Sequence, residues 1–476
     1  MCFLLGSTTG TRTVYPMIIE ERMDDGSLVL HVYHGLSLSL TKAKVATEAL
    51  RLRSRMDGRE MDQIINGTEI ERTLFEDRRK MATVSVIKTP DGVRVTGLLS
   101  PTERIEPALS EARQASGSLP HIVRNIQRPL GSRPLRMERR KDTMPGICRD
   151  RYLPENVTIE VYVISDEVHN RRFATDDLWR YICIFINSIN AIFMSLSCPR
   201  VSLALVGLEI SSKIAETQYV YGSDKLMNDL FTLYNLKDYV GRKMRAYGNP
   251  DVVLLLTGRD IYESTGTGIR RDITGIAFEG GVCTDHRVAL AEDMPGSFSG
   301  IIDAAHEIGH SLGASHDGSP PNRYIQDHPG SLKCPAKSGH LMTYVDGGPL
   351  RYQFSQCNQE EIRYVLSIRG KNCWDINAAN FYSLKDVYPG ALINPNDFCK
   401  RFYKNNGAYS PREPFLRSHC KMRCCAVLRA NTHTCALHHM LDDMWCDYGK
   451  KCFQGVCTSG MYSSPYRSKK FSRRNK

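Results

Sequence analysis

Long apolar runs are missing from this 476-residue sequence. The nearest candidate, LWRYICIFINSINAIFMSL from Leu178 to Leu196, is interrupted by Asn187, Ser188 and Asn190. It falls short of the roughly eighteen unbroken apolar residues that a membrane span needs, so it reads as a buried core helix. A well-formed leader is missing as well. MCFLLGSTTG has no basic n-region and only a scrap of apolar sequence, so residues 1–14 are read as a remnant signal-like segment. Cysteine is nearly absent from the first 140 residues, where Cys2 stands alone. Histidine is scarce throughout, at 14 residues. With 41% hydrophobic and 24% charged residues, the composition is that of folded globular domains and excludes a largely disordered chain.

The sixteen cysteines that are present cluster strongly: Cys399, Cys420, Cys424, Cys425, Cys435, Cys446, Cys452 and Cys457 crowd one short stretch. That density is the mark of a small disulfide scaffold and of an oxidising compartment, so the chain reads as secreted. Paired CxxC knuckles with accompanying histidines are lacking, which favours four disulfides over a second zinc site. The sequons at Asn66 and Asn156 suit the same compartment as glycosylation candidates.

Charge is also uneven. Six of the net +11 positive charges fall after Gly460 with no acid among them, so the tail, residues 461–476, is either a binder of polyanions such as sulfated glycans or a solubilising end. No nucleic-acid partner is expected.

Along the chain, SLVLHVYHGLSLSLT reads as a hairpin, and ATVSVIKTPDGVRVTGLLS as a strand pair turning at Asp91-Gly92. This cysteine-poor unit ends in a basic stretch containing Arg136, Arg139 and Arg140. Residues 15–140 are therefore read as a β-rich prosegment removable by a basic-site protease, with an ordinary basic linker as the alternative. From Val157 a strand–helix rhythm begins. VTIEVYVIS, VSLALVGLEI and DVVLLLTG are buried strands, and Asp176 or Asp177 is expected to cap the apolar helix. The rhythm predicts an α/β fold.

Within that unit lies AHEIGHSLGASHD, residues 305–317. Ile301, Ala305, Ile308 and Leu312 fall at helical spacing, so His306 and His310 share another face, close enough to ligate one ion, with Glu307 beside them. Gly313 can end the helix at positive φ and let His316 return as a third ligand. The chance of this pattern arising from residue frequencies is on the order of 10⁻⁴. Three neutral imidazoles leave zinc one open position, and Glu307 is placed to act as general base and acid: the parts suit hydrolysis of peptide bonds.

These residues resemble the adamalysin (reprolysin) branch of the metzincin metalloproteases. HEIGHSLGASHD follows that family's HExxHxxGxxHD pattern through Asp317, and GHLMTYVDG resembles its Met-turn, with Met342 beneath the metal. NPDVVLLLTGRDI, TGIAFEGGVC, ALAED, FSQCNQEEI and KNCWDIN have counterparts in the same order. The resemblance implies a metzincin catalytic domain over residues 152–378, with a twisted, mostly parallel sheet and helices, and one Zn2+. It further implies the disulfides Cys283 with Cys373 and Cys334 with Cys357, an edge strand at 274–281 that receives substrate, and a structural Ca2+ held by Glu160, Asp251 and Asn377 or Asp375.

Residues 396–460 resemble the disintegrin-like module of disintegrin-and-metalloproteinase proteins with thrombospondin motifs. The overall layout is similar to secreted salivary metalloproteases of ticks. The expected function is a secreted zinc metalloendopeptidase acting on extracellular protein substrates. The competing readings are a receptor- or matrix-binding antagonist acting through the cysteine-rich module, and another HExxH hydrolase. Cys148 is expected to pair with Cys183 or Cys198, or else to silence the zymogen as a zinc-binding thiolate.

Overall fold

The computed structural model describes residues 11–126 apart from 23–24, 57–58, 91 and 109–118, residues 153–374, and residues 393–458 apart from 404, 406, 428–432, 442–443 and 454–455. At its centre, the strand Asn156–Ser165 runs parallel to Arg200–Ile210 on one side and to Val252–Thr257 on the other. Val288–Glu292 continues the parallel order, and the short Gly275–Ala277 closes that edge antiparallel.

Both sheet faces are covered, which is why these strands are apolar at nearly every position. Val161, Val163, Leu254 and Leu205 pack to one side with the helices Thr175–Phe193 and Ile301–Ser311. Tyr162, Ile164, Val253 and Leu255 pack to the other with the helix Asp229–Tyr247. The result is an α/β arrangement around a mostly parallel sheet, followed by a small disulfide-rich module. No helix among the described residues is long and apolar enough to cross a membrane.

Two local expectations are corrected. The helix Thr175–Phe193 starts after Ala174, which makes no side-chain cap; Asp176 and Asp177 lie in the first turn, where their charge favours the helix N-terminus. Cys183, buried inside that helix, is a free thiol, so it is not the partner of Cys148. Cys198 is disulfide-bonded. Cys148 itself lies outside the described residues, as do residues 1–10, the basic stretch 127–152, Asp375, Asn377 and the tail 461–476.

A larger departure concerns the N-terminal unit. Most of it forms a nine-stranded antiparallel sheet that includes both expected strand pairs, Leu28–Tyr33 with Leu36–Lys42 and Ala82–Thr89 with Gly92–Ser100. Yet Ala46–Met56 and Arg59–Asn66 leave that sheet and extend the catalytic one to seven strands. In ATEALRLRSRM, Leu50 and Leu52 enter the catalytic core, whereas Arg53 meets Asp62 at 2.6 Å. The unit is therefore not self-contained.

The C-terminal module packs around the strand pair Lys421–Val427 and His433–His439. Disulfides Cys399–Cys424, Cys420–Cys452, Cys425–Cys435 and Cys446–Cys457 hold it.

Candidate metal centre

The helix Ile301–Ser311 buries Ile301, Ala305 and Ile308 in the core, and His306 and His310 emerge one turn apart. The helix is followed by Gly313 at φ +103°, where a Cβ would meet Val365 Cγ2 at 2.3 Å. Only glycine fits there, and the turn it permits brings His316 back over the helix. The Nε2 atoms of His306 and His310 lie 3.0 and 3.2 Å from Nε2 of His316.

That convergence can be tested against a metal. His306 Nδ1 is 2.9 Å from the carbonyl of Leu341 and His310 Nδ1 is 2.7 Å from that of Ala314. Each of these two Nδ1 atoms therefore carries the proton and donates it, which turns the Nε2 lone pairs of His306 and His310 toward Nε2 of His316. Burial holds His306 at about 4 and His310 well below its ordinary value, so both imidazoles are kept neutral, the form that ligates a metal. Nitrogens at about 2.0–2.1 Å from a tetrahedral zinc stand about 3.3 Å apart. The donor type, protonation and spacing fit zinc.

Glu307 is buried beside this cluster, and desolvation, with Asp303 nearby, raises its carboxyl well above the usual range. Asp303 in turn accepts from Thr274 Oγ1 at 2.9 Å, which ties the helix to the edge strand. Gly275 in that strand faces Glu307 directly: a Cβ there would stand 2.6 Å from Glu307 Cγ and 2.8 Å from Oε1. Gly275 in TGIAFEG carried no signal of this in the sequence.

Beneath the helix, Met342 is fully buried, and a Cβ on Gly309 would meet its Sδ at 2.9 Å. Asp317 joins the same floor: its backbone N–H donates to the carbonyl of Met342 at 2.9 Å, and its carboxylate accepts from Ser355 Oγ at 2.5 Å. Tyr344, two residues beyond Met342, was not singled out by the motif. Its ring centroid stands 4.9 Å from that of His316 and walls the site.

The other expected residues fall as follows. Cys283–Cys373 and Cys334–Cys357 are closed disulfides. Glu160 and Asp251 are buried together, with the Glu160 N–H donating to Asp251 Oδ2 at 2.8 Å, beside Cys283. Asn66 and Asn156 are exposed. Asn66 also caps a short helix by accepting from Thr68 N at 3.0 Å.

Comparison with known proteins agrees with this geometry. Residues 179–317 match the family described as Metallo-peptidase family M12B Reprolysin-like. The chain is 26% identical over 340 residues to a silkworm (Bombyx mori) protein named "A disintegrin and metalloproteinase with thrombospondin motifs like", covering 68% of this chain and 47% of that protein. It is 23% identical over 329 residues to the venom metalloproteinase antarease TserMP_A of Tityus serrulatus, covering 65% and 82%. It is also 24% identical over 330 residues to the human disintegrin and metalloproteinase with thrombospondin motifs 19, covering 64% and 25%. The chain thus spans about half of the silkworm relative and most of the scorpion one. The match covers residues 179–317, which hold the folded HExxHxxGxxHD cluster, so over that segment this chain is similar to the reprolysin-like M12B metallopeptidases.

Proposed function

We propose that the protein is a secreted zinc-dependent endopeptidase that cleaves extracellular proteins, with His306, His310 and His316 as ligands and Glu307 as the proton-handling residue. The convergence of three Nε2 atoms beside a buried carboxyl carries this reading. When bound, zinc supplies a Lewis acid that acidifies water and polarises a carbonyl.

The remaining work falls to the chain. An extended substrate lies along Gly275–Ala277, whose outer edge is the open end of the seven-stranded sheet, so main-chain hydrogen bonds fix the peptide in register. Gly275 keeps that strand close to Glu307. Glu307 accepts the proton of the attacking water and returns it to the amine that leaves. The chain between His316 and Met342, tied to the helix Gln356–Arg369 through Cys334–Cys357, borders the site and shapes substrate choice.

A structural Ca2+ beside Glu160 and Asp251 belongs to the same proposal, supported by two buried acids side by side. Binding of sulfated glycans by residues 461–476 rests on composition alone. Cleavage of an internal bond in an end-blocked peptide by the zinc-loaded protein tests the endopeptidase reading. Release of terminal residues only would exclude it.

A further inference from the structure

We propose that the N-terminal unit is a permanent, non-covalently held part of the enzyme: cutting the chain near residue 140 leaves it in place, so the mature protein is a two-chain complex. The observation that carries this is where the unit binds. A removable plug would contact the three imidazoles and leave the catalytic core intact. Here the described contacts run the other way.

Ala46–Met56 pairs in parallel with Arg200–Ile210 through Leu205 with Ala46, Gly207 with Arg51, Leu208 with Leu52 and Glu209 with Arg53. This is the edge opposite Gly275–Ala277, the edge beside Glu307. Stripping it away would bare the ladder groups of Arg200–Ile210 and the apolar row Leu203, Leu205 and Leu208, all fully buried. Val45, Leu50, Leu52, Leu74 and Leu98 sit in the same apolar cluster as Ile302 and Ile308 of the histidine-bearing helix.

Directional contacts reinforce the packing. Asn187, inside the helix Thr175–Phe193, donates to Glu76 Oε2 at 2.9 Å and Thr83 Oγ1 at 3.2 Å, all three buried. Without the N-terminal unit, this amide would be left without those partners in an apolar helix face, an uncompensated cost. Arg104 donates to the carbonyl of Gly296 at 2.7 Å, in the turn that leads into the histidine-bearing helix. Lys243 Nζ meets Glu60 Oε1 at 3.0 Å on the outer strand.

The unit also touches the cysteine-rich module. Val29 is fully buried among Phe398, Cys399 and Met422, and the ring of His31 lies 4.9 Å from that of Phe402. One segment thus seals both the catalytic sheet and the C-terminal module. Cleavage breaks one peptide bond and removes none of these contacts.

The test replaces Arg136–Arg140 with the recognition sequence of a site-specific protease, cuts the folded full-length chain, and runs it on size exclusion without denaturant. The expected result is one peak containing both fragments, with the Arg200–Ile210 amides as protected from hydrogen exchange as in the uncut chain. Separate elution of the N-terminal fragment, with the remainder still folded and those amides protected, would overturn the proposal.

A second measurement needs no cut. Leu50→Glu with Leu52→Glu in the full chain should speed exchange at Leu203–Leu208 on the order of a hundredfold, and unchanged exchange there would also overturn it. Both readouts are independent of hydrolysis, so they stand or fall separately from the endopeptidase reading.

Discussion

Gly309 and Met342 are matched to each other: the methionine Sδ occupies the space where a side chain at position 309 would begin, 2.9 Å from an ideal Cβ. Phe354 Cε1 crowds the same point at 2.9 Å, so the floor has no slack. Gly309→Ala is therefore expected to push the Met342 floor away from the helix, at a cost of about 1–3 kcal/mol for an overpacked core. Thermal melting together with zinc content checks it. A variant with unchanged melting and full zinc would show that the contact is not tight.

Asp317 is a brace of the floor, through Ser355 and the backbone of Met342. Asp317→Ala keeps the backbone bond but strips a buried partner from Ser355, which also caps the helix Gln356–Arg369. A loss of about 1–3 kcal/mol in unfolding free energy is expected by denaturant titration.

The disulfide Cys334–Cys357 closes 23 residues of sequence between the site loop and that same helix. Replacing both cysteines by serine is expected to lower stability by about 3 kcal/mol. Differential scanning calorimetry reads the loss. KM should rise more than kcat falls, because the segment borders substrate and holds no ligand.

Glu71 gives a pH-dependent expectation. Its carboxyl accepts from the backbone N–H groups of Val45 and Ala46, yet burial outweighs those bonds and raises it to about 7 from 4.5. The folded chain then keeps a proton that the unfolded chain releases. This contribution is complete below pH 4.5 and is lost as pH rises through 7. Glu71→Gln retains an acceptor oxygen and removes the titration. The melting temperature of the native protein should thus fall relative to the variant between about pH 5 and pH 8. Parallel curves would contradict the assignment.

The histidine cluster was legible because its determinants are local: helical spacing places His306 and His310, and one glycine returns His316. The central strands were legible for a related reason, since burial on both faces writes a continuous apolar run. The strand Ala46–Met56 was not. Its leucines alternate with arginines, and its partner lies some 150 residues onward, where Thr47 Oγ1 reaches the Leu205 carbonyl at a separation of 158. Gly275, Gly309 and Tyr344 matter through distant neighbours, Glu307, Met342 and His316, which no local pattern records. The expected Asp cap of the helix Thr175–Phe193 failed because an acid in the first turn is favourable without being the cap itself.

Glu307 is the group proposed to move the proton. The most direct measurement is cleavage of an end-blocked peptide by zinc-loaded Glu307→Ala, with metal content read on the same sample. The expected result is one zinc per chain and a rate reduced by at least about a hundredfold. Full activity with zinc in place would contradict it.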